Sequence, residues 1–145
     1  MSVLVTGGAG FIGSHLVEAL VERGYMVRVA DNFSTGRREN LSKVLSSIEL
    51  LEGDLVQPDF ALQALRGVAT CFHLAACASV RQCAADPLES YRALTVTLNL
   101  LHAGRAQHLR RFIFASSASV YKDGEQHPVS EAMGVAPRSP YALSK

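Results

Sequence analysis

Tyr141 and Lys145 stand at i and i+4, so on a helix they share one face. An ammonium beside a phenol favours the phenolate and draws the tyrosine down from its ordinary value of about 10 toward working pH. Such a group is a general base that can take a hydroxyl proton while a hydride leaves the same carbon. Ser117, within the run Ser116-Ser117-Ala118-Ser119, could hydrogen-bond the same substrate oxygen. A second cluster, Gly7-Gly8-Ala9-Gly10-Phe11-Ile12-Gly13, has the types and spacing to hold phosphate. Gly7 allows a tight turn, Gly10 lets the backbone approach a pyrophosphate, and Gly13 permits close helix packing. The N–H groups of Phe11 and Ile12 would face the anion at a helix N-terminus, where the dipole also favours it.

Asp31 follows Gly13 by 18 residues, at the end of a second apolar run. A carboxylate there can accept both ribose hydroxyls of adenosine and would repel a 2′-phosphate, which favours NAD over NADP. Arg37 and Arg38 could offset that repulsion, or stand as solvated loop residues. Asp54 could reach the adenine edge, or serve as a turn or cap residue.

These side chains need elements to position them. Val3–Val5 is a short apolar run ending in glycines, the pattern of a buried strand in a parallel sheet. A helical pattern runs from about Phe11 to Arg23, with Gly24 as its stop. Further strands are expected over Met26–Ala30, Ile48–Leu51, Val68–Leu74 and Arg111–Ala115. Helices are expected from Pro58 to about Arg66, from Pro87 to about Gln107, and from Tyr141 to Lys145, with a short one over Leu41–Ser47. Leu94, Leu98 and Leu101 are expected to face the core. Residues 122–140 read as loop. Alternation of strand and helix with no internal boundary predicts an α/β doubly wound parallel sheet, with residues 1–145 as one domain. Open sheets of this kind bind ligands beyond the carboxyl ends of their strands.

Composition agrees with a globular chain. It has 145 residues, 48% hydrophobic and 19% charged, with net charge +1. That balance argues against nucleic-acid binding, which needs a basic excess, and against disorder. No signal peptide pattern and no apolar run of membrane-spanning length are expected. Cys71, Cys77 and Cys83, six apart, form neither a disulfide framework nor a C-x-x-C metal pair; they read as small apolar residues suited to a reducing cytoplasm. His15, His73, His102, His108 and His127 show no metal spacing, so no metal site is expected. Asp86, Glu89, Glu125 and Glu131 read as solvated.

Six segments in order carry a resemblance. Thr6–Leu16, Asp31–Gly36, Gly53-Asp54-Leu55, His73-Leu74-Ala75-Ala76, Ser116–Tyr121 and Ser139–Lys145 together resemble the extended short-chain dehydrogenase/reductase family. The likeness is to its NAD-dependent sugar-nucleotide epimerases and dehydratases, especially the UDP-glucose 4-epimerase type. It implies a Rossmann fold and NAD held by Gly7, Gly10, Phe11, Ile12, Asp31, Asn32, Asp54, Leu55, Leu74, Ala75 and Lys145. It implies Ser117, Tyr141 and Lys145 as the catalytic set. Ser119 is a further substrate residue, and Ser79 with Val80 line the sugar pocket. In the implied mechanism Tyr141 takes the 4-hydroxyl proton, hydride leaves C4 for the cofactor, the 4-keto sugar turns over, and hydride returns to the other face. A nucleotide-sugar substrate and a homodimer built on the long helix are also implied. A dehydratase, a related reductase and a non-catalytic NAD-binding module are the rival readings.

The chain departs from the family pattern in places. Ala93 and Val96 stand where the family's long helix has asparagine and glycine, while Thr97 is kept, and Lys122 replaces a glycine. The resemblance implies a longer protein, whose further part carries the last sheet strands and most of the substrate domain. Ending at Lys145, as a truncation, a proteolytic fragment or a broken gene would, the chain is expected to bind NAD weakly and to turn over almost nothing.

Overall fold

The computed structural model describes residues 2–121 and 128–145. Lys122, Glu125 and His127 lie outside the described residues. The strands are β1 (Ser2–Thr6), β2 (Met26–Asp31), β3 (Ile48–Glu52), β4 (Thr70–His73) and β5 (Arg111–Phe114). The helices are α1 (Phe11–Glu22), α2 (Pro58–Leu65), α3 (Val80–Ala85), α4 (Pro87–Ala106) and α5 (Pro140–Leu143).

Among the described residues the five strands are parallel, in the order β3-β2-β1-β4-β5. β1 pairs Val3 with Val27 and Val5 with Val29 on one side, and Thr6 with His73 on the other. Its side chains alternate between two buried layers. Leu4 joins Ala30, Leu65, Cys71 and Leu100. Val3 and Val5 join Val17, Val29 and Leu41. Full burial of a leucine or valine side chain is worth about 1.5–3 kcal/mol, so the double-sided burial of β1 is a large part of the stability.

Each helix has a local reason to start or stop. α1 ends at Gly24, whose φ of +77° only glycine adopts freely; Gly24 N donates to Val21 O and Tyr25 N to Leu20 O. α2 has Pro58 in its first turn and Gly67, at φ +70°, just past its end. Arg28 reaches from β2 to the carbonyls of Ala64 and Arg66, each at 2.8 Å, and pairs with Glu49. It thereby satisfies acceptors that the end of α2 leaves open.

The chain forms two compact units. One holds residues up to Ala75 with Thr95–Phe114; the other holds the described residues of Ala76–Leu94 and Ala115–Lys145. Two expectations are corrected. The segment expected as a helix over Leu41–Ser47 is instead two 3₁₀ turns, Arg38–Leu41 and Leu45–Ser47, with only Leu41 and Val44 reaching the core. Leu98 and Leu101 do not face the core; they are 65% and 47% exposed, and the buried face of α4 carries Ala93, Val96, Leu100 and Ala103. Small residues suit that face because they let the helix lie close to its neighbours. α3 was not expected at all.

Candidate functional site

The first unit carries the glycine cluster on the turn from β1 to α1. Gly7 sits at φ +68°, and a Cβ there would stand 2.8 Å from Ala75 N. A Cβ on Gly13 would stand 2.2 Å from Gly7 O and 2.7 Å from Gly8 Cα, so this glycine packs α1 onto the turn itself rather than onto the strand. Gly8 would meet Val29 at 2.6 Å, a constraint the spacing did not reveal. Gly10 differs. Its φ of −76° suits any residue, and its Cβ would meet only Gly7 O, at 3.3 Å. Gly10 is also the N-cap of α1, and no side chain caps that helix. The first-turn N–H groups of a helix have no intrahelical partner, so those of Phe11 and Ile12 remain for a ligand. Phe11 and Ile12 are themselves exposed.

Asp31, at the end of β2, is buried, and its two oxygens are both engaged. Oδ2 accepts from Ala9 N at 2.9 Å and Oδ1 from Phe33 N at 2.8 Å. The carboxylate thus ties the glycine turn to the loop after β2, and each oxygen keeps a lone pair for a further donor. Ala9 O accepts from Arg37 N at 3.1 Å and from Asn40 Nδ2 at 2.7 Å, which draws that loop back over the turn. Phe33 holds φ +55°, a rare conformation for a bulky residue. The Arg38 guanidinium lies 4.8 Å from the centre of the Phe33 ring and pairs with Glu52. Those two engagements leave Arg38 a poor counter-ion for a 2′-phosphate. Asn32 is exposed, and its Oδ1 accepts from Ser34 N.

Asp54 follows β3 in a turn in which its Oδ1 accepts from Val56 N at 3.0 Å, the turn role left open by its sequence. Leu55 beside it is buried. Asn99, on α4, donates to the carbonyls of Leu55 and Val56 at 3.0 and 2.8 Å and pins this loop. Nothing in the sequence reading singled out Asn99.

Leu74 and Ala75 leave β4 through a network centred on Thr6. Thr6 Oγ1 receives the N–H groups of Leu74 and Ala75, each at 3.2 Å, and lies 2.7 Å from His73 Nδ1. A hydroxyl has one proton and two lone pairs. With both lone pairs taken by amides, Thr6 gives its proton to Nδ1. The buried His73 ring then carries its own proton on Nε2, 3.0 Å from Thr97 Oγ1. His73 also packs against the rings of Phe112 and Phe114. This explains a histidine with no metal spacing. Among the described residues, no group of three or more His, Cys, Asp or Glu could hold a metal ion.

The second unit carries the serines, Tyr141 and Lys145. Ser117 caps a 3₁₀ turn over Ala118–Val120; its Oγ accepts from Ser119 N at 3.2 Å and lies 2.9 Å from Ser119 Oγ. That turn packs against α5. Ser139 caps α5 by accepting from Ala142 N at 3.0 Å, and Pro140 occupies its first turn. Tyr141 is half-buried on α5. Lys145 lies just past the helix, with Nζ 5.9 Å from the centre of the Tyr141 ring. Nζ also donates to Ala115 O at 3.1 Å, and Ser116 Oγ donates to Lys145 O at 2.9 Å. Two bonds therefore stitch the serine loop to the end of α5. Burial holds the Lys145 ammonium below its ordinary value, while Cys77 and Cys83 oppose that shift. Ser79 caps α3, its Oγ accepting from Gln82 N at 3.1 Å, and α3 packs against α5. Ser117, Ser119, Tyr141, Lys145 and Ser79 are thus all held on elements of this second unit.

A profile of the NAD-dependent epimerase/dehydratase family matches residues 3–145. UDP-glucuronic acid decarboxylase 1 of Arabidopsis thaliana is 41% identical over 135 residues, which is 90% of this chain and 29% of that protein. UDP-glucose 4-epimerase of Mycolicibacterium smegmatis is 40% identical over 150 residues, all of this chain and 48% of that protein. The crystal structure of dTDP-glucose 4,6-dehydratase from Streptomyces venezuelae, solved with NAD bound, superposes with a TM-score of 0.93 at 32% identity, covering 100% of this chain and 48% of that one. The chain therefore spans between about a third and a half of the length of these relatives. Among the described residues, no helix is long and apolar enough to cross a membrane.

Proposed function

Because this chain belongs to the NAD-dependent epimerase/dehydratase family, we propose that it supplies the cofactor-binding part and the proton-transfer groups of a nucleotide-sugar 4-epimerase. The observation that carries this reading is the glycine turn, where an uncapped α1 opens directly after the central strand. That cradle fits a diphosphate. Gly7, Gly8 and Gly13 are spent on closing the turn, whereas Gly10 leaves open space where a ligand's phosphate would approach the amides of Phe11 and Ile12. Asp31 would accept a ribose hydroxyl on a lone pair it keeps, with Asn32 beside it. Asp54, Leu55, Leu74 and Ala75 would line the same cofactor, and Lys145 is the further contact that the family resemblance implies. Residues 1–145 as a single NAD-binding domain belong to the same proposal.

Bound NAD supplies a site that accepts a hydride from the substrate carbon and gives it back. The chain's own groups handle the proton. Tyr141 takes it from the sugar hydroxyl and returns it. Lys145, when charged, stabilises the phenolate that results. Ser117 donates a hydrogen bond to the same oxygen, Ser119 supports Ser117, and Ser79 contacts the sugar. Leu98 and Leu101, exposed on α4, would meet a second copy in a homodimer, and the cytoplasm is the compartment that suits three free thiols.

A dehydratase or reductase is the second reading, favoured by the fold shared with the Streptomyces venezuelae enzyme, and a non-catalytic NAD-binding module is the third. The test is incubation with NAD and UDP-glucose of a preparation carrying whatever sequence follows Lys145. Formation of UDP-galactose supports the epimerase. A dehydrated or reduced sugar supports the second reading. NAD binding with no sugar-dependent change in nicotinamide absorbance supports the third, and no NAD binding refutes all three.

A further inference from the structure

Two acids end neighbouring strands. Val27 lies in register with Ile48, and Val29 with Leu50, and all four side chains enter the layer that Val17 and Leu20 of α1 close. Side chains alternate along a strand, so two residues further on Asp31 and Glu52, again in register, leave that same face. Asp31 is buried and holds the amides of Ala9 and Phe33. Glu52 is exposed and pairs with Arg38. Arg38 lies over the ring of Phe33, whose amide is the one on Asp31 Oδ1. Asp31, Phe33, Arg38 and Glu52 thus close a ring of contacts at the carboxyl ends of β2 and β3, all within the first unit.

We propose that Glu52, by holding Arg38, selects against a dinucleotide that carries a 2′-phosphate. This rests on the reading of Asp31 as the acceptor for the adenosine ribose. Glu52 is a positioning residue in this scheme, because it acts through the guanidinium it holds. In nucleotide-binding sheets of this kind an acid at the end of the second strand suits a free 2′-hydroxyl, and an arginine nearby suits a 2′-phosphate. This chain has both, so the preference turns on what occupies the arginine.

A guanidinium can grip a phosphate with two parallel hydrogen bonds, but only when its donors are free and its charge is unanswered. Glu52 takes up both. It also adds a negative charge of its own, so that Asp31, Glu52 and Arg38 together leave one negative charge facing a phosphate. With glutamine at position 52 the three side chains are neutral and Arg38 can turn to the ligand. An exposed ion pair is weak by itself, so the pair contributes little to folding and its effect falls on which anion is accepted. Glu49 makes a natural contrast. It lies on the same strand but on the opposite face, roughly 10 Å from Glu52 along β3, and pairs with Arg28.

The test is calorimetric titration of the parent, Glu52→Gln, Glu49→Gln and the double variant Glu52→Gln/Arg38→Met with NAD and with NADP. The parent should prefer NAD. Glu52→Gln should bind NADP about tenfold more tightly than the parent does, the gain of a hydrogen bond between charged groups, with NAD unchanged. The double variant should lose that gain, and Glu49→Gln, which removes an equal charge, should keep the parent's ratio. A parent that binds NADP as well as NAD, a ratio unmoved in Glu52→Gln, a gain that survives Arg38→Met, or the same gain in Glu49→Gln would each overturn the assignment of Glu52 and leave the cofactor reading standing. A parent that binds neither dinucleotide would overturn both.

Discussion

Gly10, the N-cap of α1, and Gly13, in its first turn, are asked for opposite things. A methyl on Gly13 would stand 2.2 Å from Gly7 O and 2.7 Å from Gly8 Cα, both backbone, so the turn must move. Overpacking of that kind costs about 1–3 kcal/mol, and Gly13→Ala should melt well below the parent. Gly10→Ala meets only Gly7 O at 3.3 Å, at a φ of −76°. There the smaller backbone entropy of the unfolded alanine chain offsets a slight crowding, so stability should stay within about 0.5–1 kcal/mol of the parent. If the diphosphate sits on the amides of Phe11 and Ile12, however, the new methyl lies in its approach. Loss of a hydrogen bond to a charged group costs about 1.5–3 kcal/mol, which is roughly a tenfold to hundredfold weakening of NAD. Gly10→Val should abolish binding. The assay is calorimetric titration with NAD beside a thermal melt of each variant. A Gly10→Ala protein that folds as the parent and binds NAD as tightly would show that the phosphates lie elsewhere.

Other variants test the surrounding network. Asp31→Asn keeps one acceptor where two backbone amides need one each, so it should cost about 1–3 kcal/mol in denaturant unfolding and weaken NAD; an unchanged midpoint would refute the tie between Ala9 and Phe33. Thr6→Val leaves Ala75 N and His73 Nδ1 without their shared hydroxyl and should cost about 1–3 kcal/mol, whereas Thr6→Ser should recover it; nitrogen chemical shifts of His73 should report a proton on Nε2, and a proton on Nδ1 would contradict the assignment. Burial lowers Lys145 in the folded chain, so folding disfavours its ammonium; stability should rise slightly as pH climbs through that lowered value toward about 10.4, the unfolded value. Lys145→Met should flatten this rise, and parallel alkaline melting curves for parent and variant would remove burial as the cause.

The sheet was legible because its strands are short apolar runs broken by glycine and aspartate, and the glycine turn because its residues are local in sequence. The face of α4 was not. Leu94, Val96, Leu98, Leu100 and Leu101 surround the helix with apolar side chains, so periodicity finds a helix without choosing its buried side, and Ala93 and Ala103 decide it by size. α3 has only six residues and no periodic signal; Ser79 as its cap is the one clue. Over Arg38–Ser47 the spacing of Leu41 and Val44 suits one helical turn as well as two 3₁₀ turns. In the site, Asp31 was visible as a carboxylate ending a strand, but its two amide partners come from loops on either side. Asn99 and Thr97 lie on α4, far in sequence from Leu55 and His73, so only the folded chain reveals what they hold.

The order of strands carries a consequence for synthesis. β1 is made first, yet its second neighbour is β4, with Val3 opposite Thr70 and Thr6 opposite His73. As the polypeptide leaves the ribosome, β1 can zip to β2, and β2 to β3, early, while the other edge of β1 stays open for tens of residues. Pairings this distant fold slowly and expose unpaired strand meanwhile. The central and most fully buried strand is thus the part of the nascent protein most in need of a chaperone until residues 70–73 emerge.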